Sequence, residues 1–341
     1  MKAAIVGVTG YTGVELLRLI HQHPLLTVGT LHSQSMHKKS ISEFYPHLQG
    51  ICEQEVEPFD AEKIMQENQL VFFATPSGIS KDLVQVFVDA NFPVIDLSGD
   101  LRLDAPTYQQ WYKKEPATQA ILDQAYYAVP EWSEVQGNLI SNPGCYATTA
   151  ILSAAPLLQQ QMIEVDSLIF DGKSGLSGAG KQLTDMSHYV SVDENMSMYK
   201  LNQHQHIPEV LQFLQHFDQS LAALQFSTSL IPVKRGIFMT MYAKVKPGYT
   251  EQQLWEAFQS AYQEKPFVRV QPLGQLPELR QVIGTNYCDI GLGLNTSNQM
   301  LTVVAVIDNL GKGAAGQAIQ NFNRWAGIAE TSGLIQAPIY P

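Results

Sequence analysis

The amino-acid sequence predicts an α/β protein: a doubly wound parallel sheet, followed by an α+β domain built on a mixed sheet. Two patterns carry that expectation. In the first part of the chain, short apolar runs at residues 2–8, 25–32, 70–74 and 93–97 alternate with helical spacings and end in polar loops. After Cys145, the runs at 167–170, 224–232, 238–245 and 300–307 have few helices between them, as in antiparallel or mixed sheets. At 341 residues the chain is also long for one hydrophobic core. The expected division is a first domain over 1–147, completed by a C-terminal helix within about 310–341, and a second domain over 148–309.

The first apolar run leads directly into Gly7-Val8-Thr9-Gly10-Tyr11-Thr12-Gly13. Val14, Leu17 and Ile20 then recur at helical spacing, Leu16 and Leu19 broaden that face, and His23-Pro24 stops the helix. A second strand follows over 25–32. This is a strand, glycine turn, helix and strand in the Rossmann order, with glycines spaced G-x-x-G-x-x-G, a variant of the dinucleotide fingerprint. Glycine lets backbone N–H groups approach a phosphate at a helix N-terminus. The run at 70–74 ends in Thr75-Pro76-Ser77-Gly78, a strand-end loop of the kind that contacts ligands in such sheets. Residues 81–90 read as an amphipathic helix and 93–97 as the next strand. Ser141-Asn142-Pro143-Gly144-Cys145-Tyr146 is a tight turn feeding an apolar helix over 147–158. Further helices are expected over 250–262 and 312–326. No repeat or low-complexity tract interrupts the chain.

Composition narrows the class. Hydrophobic residues make up 45% and charged residues 16%, ordinary for a globular protein, and the net charge of −11 argues against nucleic-acid or anionic-membrane partners. Cys52, Cys145 and Cys288 are far apart and lack a CxxC spacing, which excludes a disulfide framework and a cysteine-based metal site. No apolar stretch approaches membrane-spanning length, and residues 1–8 read as a strand rather than a leader. A reducing cytoplasm is the expected compartment.

The chemistry centres on Cys145. A helix N-terminus carries partial positive charge and biases a thiol toward thiolate, the form that attacks carbonyls. His204 and His206, two apart before Ile207-Pro208, can share one site as a base for that thiol or can cap a helix starting near Pro208; no third ligand suggests a metal. Arg102 and Arg235 are candidates to clamp a phosphate or carboxylate by the planar guanidinium fork, and Asn142 in the cysteine turn joins them as a candidate substrate contact. No acidic residue occurs between residues 16 and 42, where an NAD site usually places one, and the loop there carries Ser33, Ser35, Lys38 and Lys39. That favours NADP. Gly175 to Lys181 matches the first seven positions of a P-loop, but Gln182 stands where a magnesium-binding Ser or Thr belongs. The segment reads better as a polar loop in which Ser174, Ser177 and backbone N–H groups, including that of Gly178, approach cofactor or substrate.

Taken together, these motifs resemble the N-acetyl-gamma-glutamyl-phosphate reductase family, within the wider aspartate-semialdehyde dehydrogenase superfamily. The resemblance spans nearly the whole chain. It rests on Gly7 to Leu16, Ser141 to Tyr146, Ser174 to Gly180, His204-Gln205-His206-Ile207-Pro208-Glu209, Pro232 with Arg235-Gly236-Ile237, and Lys312 to Gln317, all in the family's order. Three positions depart from the usual pattern: Ala147 for Pro, Gln205 for Arg and Gly99 for Ala. The resemblance implies Cys145 as nucleophile, His204 as acid/base with His206 beside it, and NADP held by Gly10 to Gly13, the Ser33 region and Asn309. It implies NADPH-dependent reduction of an acyl phosphate to a semialdehyde through a cysteine thioester, in arginine biosynthesis, by a homodimer or homotetramer. Two alternatives stay open: an acyl-phosphate reductase for another substrate such as aspartyl phosphate, and an NADP-binding redox sensor without turnover.

Overall fold

The structure, a computed structural model, describes residues 1–34, 36 and 38–339; Ser35 of the polar loop lies outside the described residues. Two compact units form, one from Met1–Gly144 with Ala314–Ile335, the other from Cys145–Gly313 with the chain end from Gln336. The division falls at Gly144/Cys145, against an expected boundary after residue 147, because Cys145 is already the first residue of a helix belonging to the second unit.

Among the described residues the first unit holds eight strands: β1 (Lys2–Val6), β2 (Thr27–His32), β3 (Lys39–Ser40), β4 (Glu55–Glu57), β5 (Leu70–Phe73), β6 (Val94–Asp96), β7 (Tyr126–Tyr127) and β8 (Leu139–Ser141). Their order is β3-β4-β2-β1-β5-β6-β8-β7, parallel except for the β3–β4 pair. All four residues of β5 and all three of β6 are buried, as expected when helices cover both faces of a parallel sheet. Val6, Val71, Phe73, Phe87 and Val94 share one apolar cluster. The helix expected over 81–90 is two short pieces, Ser80–Leu83 and Gln85–Asp89, meeting at Val84. The C-terminal return of this unit is Gly316–Trp325, preceded by a π-turn over Gly311–Ala315. It is tied down by amides: His23 Nε2 donates to Asn323 Oδ1 at 2.9 Å, and Gln320 Nε2 donates to Glu131 Oε1 at 2.8 Å.

A buried polar hub fixes the loops after β5 and β6. Asp100 Oδ1 accepts from Gly78 N–H (2.6 Å) and from the Tyr108 hydroxyl (2.7 Å), and Oδ2 accepts from Ser80 Oγ (3.1 Å) and Lys81 N–H (3.2 Å). Asp96 beside it accepts from Ser98, the one donor to its side chain among the described residues, through N–H at 3.1 Å and Oγ at 2.8 Å. Burial, then the charge of Asp100, push the Asp96 carboxyl up to about 7. The folded state therefore keeps a proton that the unfolded state releases near pH 4, and stability falls as pH rises between those values. Asp96→Asn mimics the protonated form. It is expected to stabilise the protein by roughly 2–4 kcal/mol at pH 8 and to change little at pH 4, as read from denaturant unfolding at the two pH values.

The second unit is a seven-stranded mixed sheet: β9 (Ile169–Ser174), β10 (Ser197–Tyr199), β11 (Gln225–Leu230), β12 (Ile237–Lys244), β13 (Val268–Val270), β14 (Cys288–Asn295) and β15 (Met300–Ile307), in the order β10-β11-β9-β12-β15-β14-β13. β9–β11 and β13–β14 are parallel and the other pairs antiparallel. The helix Cys145–Gln159 packs on β12 and β15. Pro156 inside it has no N–H to give Leu152, and the Tyr262 hydroxyl donates to the freed Leu152 carbonyl at 2.7 Å. Thr250 caps the helix Glu251–Tyr262 in a capping box with Gln253.

Candidate active site

In the first unit the glycine turn joins β1 to the helix Tyr11–His21. The three glycines have different tasks. Gly7 has φ +88°, and a Cβ there would lie 2.5 Å from the Ala74 carbonyl; a Cβ on Gly13 would lie 2.5 Å from Gly7 O. Both are needed for strand, turn and helix to touch. Gly10 has an ordinary extended backbone, φ −86°, and its Cβ would meet nothing nearer than Gly7 O at 3.4 Å. Among the described residues no atom demands a glycine at position 10, so what its bare backbone leaves is space above a helix N-terminus. Among the described residues no side chain caps that terminus, and no acidic residue lies in its first turn, which begins at Tyr11 and Thr12. Thr75 Oγ1, in the loop after β5 beside exposed Pro76, is buried without a hydrogen-bond partner. An open cradle, uncapped N–H groups and an orphaned hydroxyl fit a dinucleotide's phosphates.

The ribose end of that cradle is polar and lacks acid. Ser33, just past β2, is buried: its hydroxyl lies 3.1 Å from Thr9 Oγ1, and its N–H donates to Glu57 O at 3.0 Å. The Tyr45 hydroxyl donates to Thr9 O at 2.7 Å. Glu57, the nearest acid in register, takes Lys63 Nζ at 2.6 Å. Lys38 and Lys39 are exposed.

Arg102 and Asn142, two residues expected to touch substrate, hold the cysteine turn. Arg102 is buried, with Nε donating to Asn142 O (2.9 Å) and Nη2 to Leu97 O (2.8 Å). Asn142 is fully buried: Oδ1 accepts from Asn321 Nδ2 at 3.0 Å, and Nδ2 reaches Ala314 O at 3.3 Å. Their polar atoms fix the backbone through Gly144, because a carbonyl turn buried without donors would cost more than these side chains.

In the second unit Cys145 is half-buried at the start of its helix. The Tyr146 ring next to it stands over Gly172 of β9, where a Cβ would lie 2.4 Å from Tyr146 Cε1. That ring forms one wall of an aromatic nest. His204 is 4% exposed, edge-on to Tyr146 (5.2 Å between centroids) and to Tyr199 (5.9 Å), and stacked on Phe226 (6.2 Å). Burial, then the neighbouring His206, hold its pKa well below the usual imidazole range. Its Nδ1 accepts the His206 backbone N–H at 3.2 Å, so the neutral ring carries its proton on Nε2. His206 begins the helix His206–Leu214, its ring 4.7 Å from that of His204, with Nε2 4.0 Å from the carboxylate of fully buried Glu209. The Tyr199 hydroxyl donates to the Tyr146 hydroxyl at 3.3 Å. Burial pushes Tyr199 up to about 12 and Tyr146 higher still, and a nearby Cys145 thiolate adds to both shifts. Both tyrosines stay neutral donors beside the sulfur.

Ser177 and Gly178 lie on the 3₁₀ turn Leu176–Ala179 after β9. Asn309 holds that turn: its Nδ2 donates to Ser177 Oγ at 3.0 Å, and its Oδ1 accepts Gly236 N–H at 2.6 Å. Asn309 is 2% exposed, so its side chain supports the loop from below. Arg235 pairs through Nε with Asp308 at 3.0 Å, its side chain still 23% exposed.

Comparison with known proteins agrees with this layout. The model of the semialdehyde dehydrogenase NAD binding domain matches residues 2–138, and that of the semialdehyde dehydrogenase dimerisation domain matches residues 145–309. A protein of Streptococcus gordonii named N-acetyl-gamma-glutamyl-phosphate reductase is 54% identical over 341 residues, covering both chains completely. The chain belongs to the semialdehyde dehydrogenase family. A Staphylococcus epidermidis relative with the same name is 51% identical over the full length of both chains. Among solved structures, aspartate semialdehyde dehydrogenase of Candida albicans with NADP superposes with a TM-score of 0.70 at 15% identity, covering 95% of this chain and 98% of that one. Aspartate semialdehyde dehydrogenase II of Vibrio cholerae gives 0.71 at 15% identity, covering 96% and 98%. These last two likenesses concern the semialdehyde dehydrogenase fold alone.

Several residues of this semialdehyde dehydrogenase site are not singled out by sequence reasoning. Glu209 sits inside the histidine motif, and its spacing of three from His206 on a helix is the signal that could have marked it. Gly172, Tyr199 and Asp308 carry no local signal; each matters because of what folding brings against it.

Proposed function

We infer that the chain is an NADPH-dependent acyl-phosphate reductase that converts N-acetyl-gamma-glutamyl phosphate to N-acetylglutamate 5-semialdehyde and inorganic phosphate through a thioester on Cys145, in arginine biosynthesis. The observation that carries this reading is a half-buried cysteine at a helix N-terminus, followed by a tyrosine whose ring meets both rings of a buried histidine pair, in a chain 54% identical over its full length to a protein named for that reduction.

His206, oriented by Glu209, takes the thiol proton, and the helix N-terminus favours the resulting thiolate. The sulfur attacks the acyl carbon, the carbon–oxygen bond to phosphate breaks, and inorganic phosphate leaves. Arg235 holds the departing phosphate or the substrate carboxylate. NADPH, when bound, would supply the hydride that the thioester carbonyl takes up. His204 donates its Nε2–H to the oxyanion as charge develops; a neutral imidazole suits this because it stabilises charge without surrendering a proton too early. The thiohemiacetal anion then collapses, releasing the aldehyde and expelling the Cys145 thiolate, which takes back the proton held on His206. Arg102 and Asn142 act as positioning residues for the cysteine turn.

The cofactor reading rests on the Gly10 cradle with Tyr11, Thr12 and Gly13, and on Thr75 and Pro76, all in the first unit. NADP rather than NAD is supported by the acid-free end of β2 and by exposed Lys38 and Lys39. Gly10→Val is expected to weaken NADP binding by roughly tenfold or more while leaving the melting temperature nearly unchanged, since its backbone conformation suits any residue. Titration calorimetry and a thermal melt read the two effects. The match to a dimerisation domain, with exposed Leu183, Tyr189 and Val190 in the segment before edge strand β10, supports a homodimer or homotetramer.

The substrate is tested in reverse, with aldehyde, phosphate and NADP, comparing N-acetylglutamate semialdehyde with aspartate semialdehyde. NADP reduction with the first is the expected result. Reduction with the aspartate compound alone rejects the substrate, and no turnover with either favours a sensor.

A further inference from the structure

Asp308 follows β15 and is fully buried. Its carboxylate accepts from Arg235 Nε (3.0 Å), Gly284 N–H (2.6 Å), Leu310 N–H (2.9 Å) and Gly311 N–H (3.2 Å). Its backbone carbonyl accepts Gly313 N–H at 2.9 Å. One residue thus joins the β11–β12 loop, the loop before β14 and the π-turn Gly311–Ala315. The π-turn reaches the nucleophile, because a Cβ on Gly313 would lie 2.7 Å from Cys145 Cβ. The bare glycine backbone is therefore packed flat against the cysteine.

Three backbone N–H groups could be satisfied by an uncharged acceptor, and a buried carboxylate is costly to desolvate. What the charge adds is a fixed partner for a guanidinium. A bond at Nε sets the plane of the Arg235 fork and hence the direction of its other donors. Resting on the acyl-phosphate reading above, we propose that Asp308 is a positioning residue for the substrate anion: it holds the Arg235 fork and the π-turn behind Cys145 in one register, so that the phosphate is bound where its acyl carbon meets the sulfur.

A double-mutant cycle tests this with inorganic phosphate as the probe in the reverse reaction. Asp308→Asn and Arg235→Lys are each expected to raise KM for phosphate by roughly tenfold, with kcat lowered less than about threefold, and the double variant is expected to be no worse than the weaker single within about twofold. Multiplicative effects, or an Arg235→Lys enzyme with unchanged KM, overturn the proposal. Should Asp308→Asn fail to fold, Asp308→Glu, which keeps the charge but moves it by one methylene, replaces it in the same cycle. A wild-type protein without phosphate-dependent turnover rejects the reductase reading together with the proposal; wild-type turnover with multiplicative variants rejects the proposal alone.

Discussion

Replacing Cys145 by alanine is expected to lower reductase turnover by about a thousandfold or more while leaving NADPH binding and the melting temperature unchanged. The size of the effect follows from the chemistry. Without sulfur there is no covalent acceptor for the acyl group, and the remaining groups can only stabilise charge on an unreacted acyl phosphate. The structure argues against a folding defect. The side chain is half-buried at a helix start, and alanine is a good helix former. Cofactor contacts are expected in the glycine turn Gly7 to Gly13, which belongs to the other compact unit. Steady-state rates together with cofactor titration on one preparation separate lost chemistry from lost structure.

The histidine pair gives the second large effect, and the two rings are expected to fail differently. His206→Asn removes the base and is expected to lower kcat by roughly a hundred- to ten-thousandfold and to abolish the acidic limb of the kcat/KM profile. His204→Asn is expected to cost roughly ten- to a hundredfold with the limb still present. The reason lies in burial: the nest of Tyr146, Tyr199 and Phe226 keeps His204 neutral through the range where an ordinary imidazole titrates, so its loss removes a donor rather than a titration. Glu209→Gln is expected to cost about tenfold in kcat by loosening the ring it orients. An acidic limb that disappears with His204→Asn and survives His206→Asn would reverse the two roles.

Much of the first unit is legible in the sequence because its signals are local. The glycine turn, the apolar runs of β1, β2, β5 and β6, and the stop at His23-Pro24 each state a backbone preference within a few residues. The helix after the cysteine turn is equally plain, although it starts two residues earlier than its apolar run. β14 is harder to read. Gly291 and Gly293 dilute its strand character, and Gly291 is required because a Cβ there would lie 2.6 Å from Gln275 O, a contact set by a distant loop. The nucleophile and both imidazoles can be found by residue type and turn chemistry. The division of labour between them cannot, since it depends on which ring is enclosed. Arg102 and Asn142 show the same limit: their bonds to carbonyls and amides that hold the cysteine turn are made by folding and carry no local signal.

The account's central claim is a covalent acyl group on Cys145. It is tested most directly by mixing the protein with N-acetyl-gamma-glutamyl phosphate in the absence of NADPH, quenching in acid, and mapping the digest by mass spectrometry. The predicted result is one N-acetylglutamyl group on the peptide carrying Cys145, released by hydroxylamine and absent from Cys145→Ala. Stoichiometric release of phosphate on adding NADPH, with no acyl group ever found on that peptide, would contradict it.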